Sequence, residues 1–386
     1  MAESYDCIVL GVGGFGSSTV YHLAKRDLRV LGIDQFPLAH DRGSSHGDTR
    51  IIRKAYFEHP AYVPLLQRAY QLWDEVQSEY ADLTANSAEH LLLNRCGVFS
   101  AGPHNGIVVN GIRQAAKQHA LAYEDISASD AKDRFPGYQI PEGFDIVFES
   151  EAGYLHVERC VSAFGQLAQQ HGATLKTNEQ VIGWSSTSNA VEVKTDNDTY
   201  HADSLIITAG AWSDQILDRL NLPLTVLRKV LLWHQTADRS FDVDAGRGGF
   251  FFDMPYGRFY GFPCLDGRTV KLAEHSGGET VHDPLNLDRS LKPSDTANVR
   301  KFLSEVMPNL DIEPSRHVVC MYTMTPDENF IIDRHPEFAN VCYGAGFSGH
   351  GFKFTSSIGE ALADIATTGS SALPIEFLSP RRFLQA

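Results

Sequence analysis

Apolar and polar positions along this chain fall into short blocks whose period changes from one to the next. Residues 6–11 (DCIVLG) have the pattern of a short buried strand ending in glycines. Residues 15–25 have a helical period, with Val20, Leu23 and Ala24 on one face. Residues 29–34 (RVLGID) predict a second strand that closes on an acid. The chain thus starts with a β–α–β unit. A longer amphipathic helix is predicted over 62–80, with Leu65, Leu66, Tyr70, Leu72, Trp73 and Val76 as its apolar stripe. Another is predicted over 157–170, with Gly172 placed to end it.

Residues 91–148 are mixed, with Gly and Pro interruptions. Short strands are expected at 174–176, 180–184, 191–194 and 200–202, then a buried strand at 204–208 (SLIIT) and a helix at 212–220. A strand-rich block follows at 225–234, 249–252, 258–262 and 269–275, then a helix at 297–306. Strands at 318–324, 330–333 and 340–344 lead to a glycine-rich loop, GAGFSGHGFKF, and a last helix at 357–367. Nucleotide-type patterns lie at both ends and in the middle, with the antiparallel block between them. This order predicts an α/β fold. A discontinuous Rossmann-like domain (1–85, 150–220, 320–386) is interleaved with an antiparallel-sheet-plus-helices substrate domain (86–149, 221–319).

Gly11-Val-Gly13-Gly14-Phe-Gly16 is a GxGxxG run between the first strand and the first helix. The first glycine permits the tight turn. The second lets backbone approach a pyrophosphate, and the third lets helix and strand pack closely. The helix N-terminus offers N–H donors to the phosphates. Asp34 ends the next strand, where an acid binds a ribose hydroxyl. The fingerprint does not separate NAD from FAD. The second glycine-rich loop, 344–351, is either a plain bend or a helix entrance facing the electron-rich edge of a reduced flavin.

Composition narrows the partners. The formal net charge of −15 argues against nucleic acid and anionic membranes, which need clustered Lys and Arg. No apolar run approaches the roughly 20 residues of a membrane helix. The six cysteines are scattered without a CxxC, so neither a disulfide framework nor a metal site is expected. The start, MAESYDCIVLG, enters a strand pattern directly, and the expectation is a soluble cytoplasmic protein.

The stretch GSSHGDTRIIRKAY gathers His46, Thr49, Arg50 and Arg53. As a helix it would put His46, Arg50 and Arg53 on one face; extended, the two arginines point to opposite faces. Arginines tethered to buried isoleucines call for acidic partners or an anionic ligand.

Together with KLAEHSGG, CMYT, DENFIID, GFSGHGFKF and the initial GVGGFG, this stretch resembles the monomeric sarcosine oxidase and N-methyltryptophan oxidase family of flavoenzymes. The matching stretches run in family order over nearly the whole chain. The resemblance implies an FAD enzyme that oxidises a secondary amino acid and reduces O2 to H2O2, acting as a monomer. It implies that Arg53 and Lys353 bind the substrate carboxylate, and that His46, Thr49 and Arg50 lie beside the flavin ring. Lys271 is implied in oxygen reduction. His275, Tyr260, Tyr322 and Phe251 are implied around the substrate, Phe251 standing where sarcosine oxidases tend to have methionine. On a strand, Lys271 and His275 share a face, so both are expected to point into one cleft. The implied cofactor surface comprises Gly11, Gly13, Gly14, Gly16, Asp34, Ser45, Val181, Gly346, Gly349, Gly351 and Lys353. Cys320 is implied to carry the flavin covalently, as a thioether to its 8α-methyl group. Residues 225–235 and KLAEHSGGETVH are nearer the N-methyltryptophan branch. Cyclic imino acids (pipecolate, proline), glycated amino acids and a dehydrogenase with another electron acceptor remain alternatives.

Overall fold

Within the strand Ser4–Leu10, residues 7–10 are all buried, which is why they read as a continuous apolar run rather than an alternating one. In the computed structural model, which describes residues 4–84 and 90–383, this strand runs parallel to Val30–Asp34 and to Thr199–Ile207. Thr174–Thr177 extends the parallel sheet at one side and Val341–Ala345 at the other. Antiparallel strands Val181–Ser186, Val191–Thr195 and Ile331–Arg334 bring the sheet to eight strands. Helices Val157–Gln170 and Thr355–Thr368 both pack on Gly14–Ala24, whose residues are almost all buried.

A second sheet of nine strands is built on Thr225–Gln235. This strand pairs antiparallel with Thr269–Glu274 and with the whole of Pro314–Met324. The domain boundary expected at 320 therefore falls inside a strand. Gly257–Gly261, Gly249–Met254, Val98–Pro103 and Phe144–Glu149 continue the sheet. Period two explains the run GGFFFDM: Phe250 and Phe252 pack on Phe302 of the helix Pro293–Val306, whereas Phe251 turns to the other face. A small third sheet joins Thr49–Ile52, Gly153–His156 and Leu93–Asn94.

Two expected elements differ. The strands read at 200–202 and 204–208 are one strand, Thr199–Ile207. Its first half pairs antiparallel with Val191–Thr195 and its second half parallel with Val341–Ala345, so the polar Asp203 marks a change of partner and not a break. The helix read at 212–220 is three short turns, Gly210–Trp212, Ser213–Ile216 and Asp218–Leu220. Asn221 ends them in a left-handed conformation, φ 46°. No helix among the described residues is long and apolar enough to cross a membrane.

Candidate active site

The glycine fingerprint does three separate jobs in the structure. Gly11 has φ +83°, a turn that L side chains avoid. A Cβ on Gly16 would stand 1.7 Å from the Gly11 carbonyl oxygen, so strand and helix meet there only through glycine. A Cβ on Gly13 would meet nothing within 4 Å, because Gly13 faces a cavity of about 1460 Å³. Asp34 reaches this cavity from the next strand. Its carboxylate accepts from the backbone N–H of Val12 (2.7 Å) and Phe36 (2.9 Å). Burial pushes its pKa up, against the pull of His40, whose Nε2 is 3.7 Å away.

The cavity runs from this fingerprint past Ser45, Val181 and Arg50 to Tyr322 and the second glycine-rich loop, where Gly346, Gly349 and Gly351 line it. Gly14 N–H donates to Ser45 Oγ (3.2 Å). Gly349 has φ +77°, and a Cβ there would lie 2.3 Å from the Tyr322 ring. His46 is buried nearby with an unpartnered Nε2, and burial pushes its pKa down to about 3. A cradle of bare backbone and a ribose-type acid facing one cavity are features a dinucleotide flavin needs, so the residues present fit FAD. Cys320 lines neither cavity; it is fully buried, next to Met321, Tyr322 and Thr323, which line this one.

A smaller cavity of about 490 Å³ adjoins the first, and Arg50, Gly349 and Phe352 belong to both walls. Arg53, Lys353, Glu58, His275, Tyr260 and Phe251 line it. Thr49–Ile52 is a strand and Arg53 follows its end, yet Arg50 and Arg53 both reach this small cavity and do not part to opposite faces. Arg50 donates to the carbonyls of Thr49 and Ser44, both at 2.9 Å, with no ion pair among the described residues. Arg53 has an acid: both Glu58 oxygens lie at 2.7 and 2.9 Å, and Ala55 O at 2.7 Å. Burial alone would raise the Glu58 pKa, but Arg53, His350 and Lys353 hold it down at about 2.

Lys353 is 7 % exposed and donates to His350 O (2.7 Å). Burial, then Arg53 and Arg50, lower its pKa to about 7 against the pull of Glu58. His350 Nε2 must carry a proton, because its partner is the Glu328 carbonyl (2.9 Å). Its Nδ1 therefore accepts from Tyr56 Oη. Tyr56 and His350 lie inside the stretches GSSHGDTRIIRKAY and GFSGHGFKF with no role implied for them there, whereas Glu58 and His40 lie outside every such stretch, and only their folded positions bring them here.

Lys271 and His275 do not share a cleft. The strand ends at Glu274, and His275 enters the small cavity, with Nδ1 3.5 Å from Tyr322 Oη. Tyr260 Oη stands 3.4 Å from Tyr322 Oη. Burial lowers the His275 pKa to about 3. Lys271 lies on the same sheet face, over Trp233 and Phe262, but its ammonium is taken up by the carbonyls of Gly47 and Thr49 and by Thr49 Oγ1. Lys271, Thr49 and His46 line neither cavity.

The sequence profile of the FAD dependent oxidoreductase (DAO) family matches residues 6–365. The chain belongs to that family. A monomeric sarcosine oxidase from Bacillus sp. strain B-0618 is 39 % identical over 99 % of this chain and 97 % of its own length. An N-methyl-L-tryptophan oxidase from Yersinia pestis (strain Pestoides F) is 35 % identical over 98 % and 99 %. The crystal structure of an L-proline dehydrogenase from P. horikoshii has the same fold, with TM-score 0.83, 22 % identity and coverage of 100 % and 99 %. The family makes this chain a flavin-dependent oxidoreductase with FAD as its cofactor.

Proposed function

We propose that the enzyme oxidises secondary, N-methyl amino acids such as sarcosine or N-methyltryptophan. The products are the primary amino acid and formaldehyde, with O2 reduced to H2O2. The observation that carries this reading is the second cavity. Two buried cations, Arg53 and Lys353, stand with aromatic walls in a chamber that shares Arg50, Gly349 and Phe352 with the cofactor cavity. A guanidinium fork and an ammonium form a carboxylate clamp. FAD supplies the two-electron oxidation of the C–N bond, and the resulting imine hydrolyses in water.

The side chains hold and orient. His275, His350 and both tyrosines have pKa values shifted by burial toward their neutral forms. The chamber thus favours a neutral substrate amine, the form able to give up electrons, while the carboxylate supplies the charge that Arg53 and Lys353 match. Glu58 already occupies Arg53, so an incoming carboxylate must share the guanidinium or displace Glu58 from part of it. Cys320 is the proposed covalent anchor of the flavin. The same reading has the enzyme monomeric and cytoplasmic.

Arg53→Ala removes the fork and leaves Glu58 buried without its main cation. KM for the amino acid should rise by about 30- to 1000-fold, the equivalent of one or two charge-assisted hydrogen bonds. Steady-state KM with sarcosine and N-methyltryptophan tests this; an unaltered KM removes Arg53 from the clamp.

Lys353 gives a pH signature. Its charge is present below about pH 7 and is lost as pH rises through that value. A bound carboxylate favours the charged form and moves the loss upward. KM should therefore climb on the alkaline side in the wild type, while Lys353→Met shows a high KM without that climb. KM profiles from pH 6 to 9, as about the range bracketing this titration, decide it. A parallel climb in the variant would overturn the assignment.

A further inference from the structure

The strand Thr225–Gln235 carries a buried lysine that the clamp and the cofactor cavity leave unexplained. Lys229 is 5 % exposed and pairs in register with Cys320, so the two side chains share one face of the sheet. It lines neither cavity. Its ammonium donates to three consecutive carbonyls, those of His275 (2.8 Å), Ser276 (2.7 Å) and Gly277 (3.0 Å). It also stands 5.0 Å from the centre of the Tyr322 ring. An ammonium has three donors, and these carbonyls engage all of them, which is what makes its burial tolerable.

The segment held this way is the turn that presents His275. His275 N–H donates to Arg258 O (2.7 Å), and Ser276 Oγ accepts from Arg258 N–H (3.0 Å). Gly277 and Gly278 then take φ +64° and +121°, conformations open to glycine, which bend the chain so that its carbonyls converge. Tyr322, the other group beside the ammonium, is wedged against the backbone of Gly349. Its hydroxyl faces both His275 and Tyr260.

We infer that Lys229 is a positioning residue for the substrate cavity. Its ammonium pins the 275–277 turn and the Tyr322 ring together, and so sets His275, in the wall of the small cavity, against Tyr322, in the wall of the larger one. This rests on reading the small cavity as the substrate site. A glutamine at 229 supplies two donors in place of three. A methionine supplies none and leaves three buried carbonyls without a partner.

The test uses the flavin-loaded enzyme and two variants, Lys229→Gln and Lys229→Met. Amide hydrogen exchange in a peptide covering 274–281 should accelerate about ten-fold or more in both, with the parallel sheet unchanged. KM for the N-methyl amino acid should rise about ten-fold in Lys229→Gln, but by less than about two-fold when His275 is already Asn, because the two residues act through one wall. If Lys229→Met does not fold, Lys229→Gln carries both measurements. Unchanged exchange at 274–281, or an equal rise of KM in both backgrounds, overturns the inference. If no secondary amino acid bleaches the wild-type flavin, the substrate reading falls, and the exchange measurement still decides whether Lys229 holds the turn.

Discussion

Lys271→Met is expected to slow reoxidation of the reduced enzyme by O2 about 10²- to 10³-fold, the usual cost of removing one preorganised charge from a site where charge develops. Anaerobic reduction by substrate should change only a few-fold, because Lys271 lines neither cavity and touches no part of the proposed clamp. Lys271 is 4 % exposed. Burial first, then Arg50, push its pKa well below the ordinary lysine value, with Asp48 and Glu158 opposing. Its ammonium is engaged by three acceptors, and a positive group held there favours the negative charge that electron transfer to O2 creates. Its hydrogen bonds to Gly47 and Thr49 hold it at the segment that carries Arg50. The side chain is thus fixed before the charge arrives, and little reorganisation is left to be done.

Methionine is close to lysine in volume, so the fold should survive the change. The loss of a donor from buried carbonyls costs about 1–3 kcal/mol, which a thermal melt would register. Stopped-flow mixing of the reduced enzyme with oxygenated buffer separates the half-reactions. Unchanged oxygen kinetics would remove Lys271 from the reaction. Slow aerobic turnover already in the wild type, with normal anaerobic reduction, would point to a dehydrogenase with a different acceptor.

Local signals read well from sequence where one residue has one physical reason. Gly11, Gly13 and Gly16 each answer to a separate constraint of a strand–turn–helix, and Asp34 follows at the end of the next strand. The alternation of Phe250, Phe251 and Phe252 tells which ring faces the core. What stayed hidden is set by long-range register. Glu58 is five residues from Arg53, but no period marks it as the acid that fills the guanidinium. Lys229 reads as one of two adjacent basic residues, with Arg228, in a largely apolar strand until the 275–277 turn closes over its ammonium. Lys271 and His275 share strand parity and a sheet face, but only His275 reaches a cavity, because Gly47 and Thr49 take up the Lys271 ammonium first. The pairing of Thr225–Gln235 with Pro314–Met324, about ninety residues away by sequence, is likewise a fact of tertiary packing.

Cys320→Ser should convert a covalently held flavin into a dissociable one. Five of the six cysteines sit where burial pushes the thiol pKa up: Cys96 to about 11, Cys7 to about 12, and Cys160, Cys264 and Cys342 also upward. Cys320 differs in its neighbours. It pairs in register with Lys229 across the sheet, and Arg50 and Lys271 are also near it. The strand also carries Met321, Tyr322 and Thr323 in the wall of the cofactor cavity, so the sulfur is one residue from that surface. Serine keeps the size and loses the nucleophile. After acid precipitation the wild type should keep its yellow colour in the pellet, Cys320→Ser should release it to the supernatant, and Cys96→Ser should behave as the wild type. Colour in the wild-type supernatant would sink the covalent anchor while leaving FAD binding intact. Colour kept in the Cys320→Ser pellet would move the link to another residue.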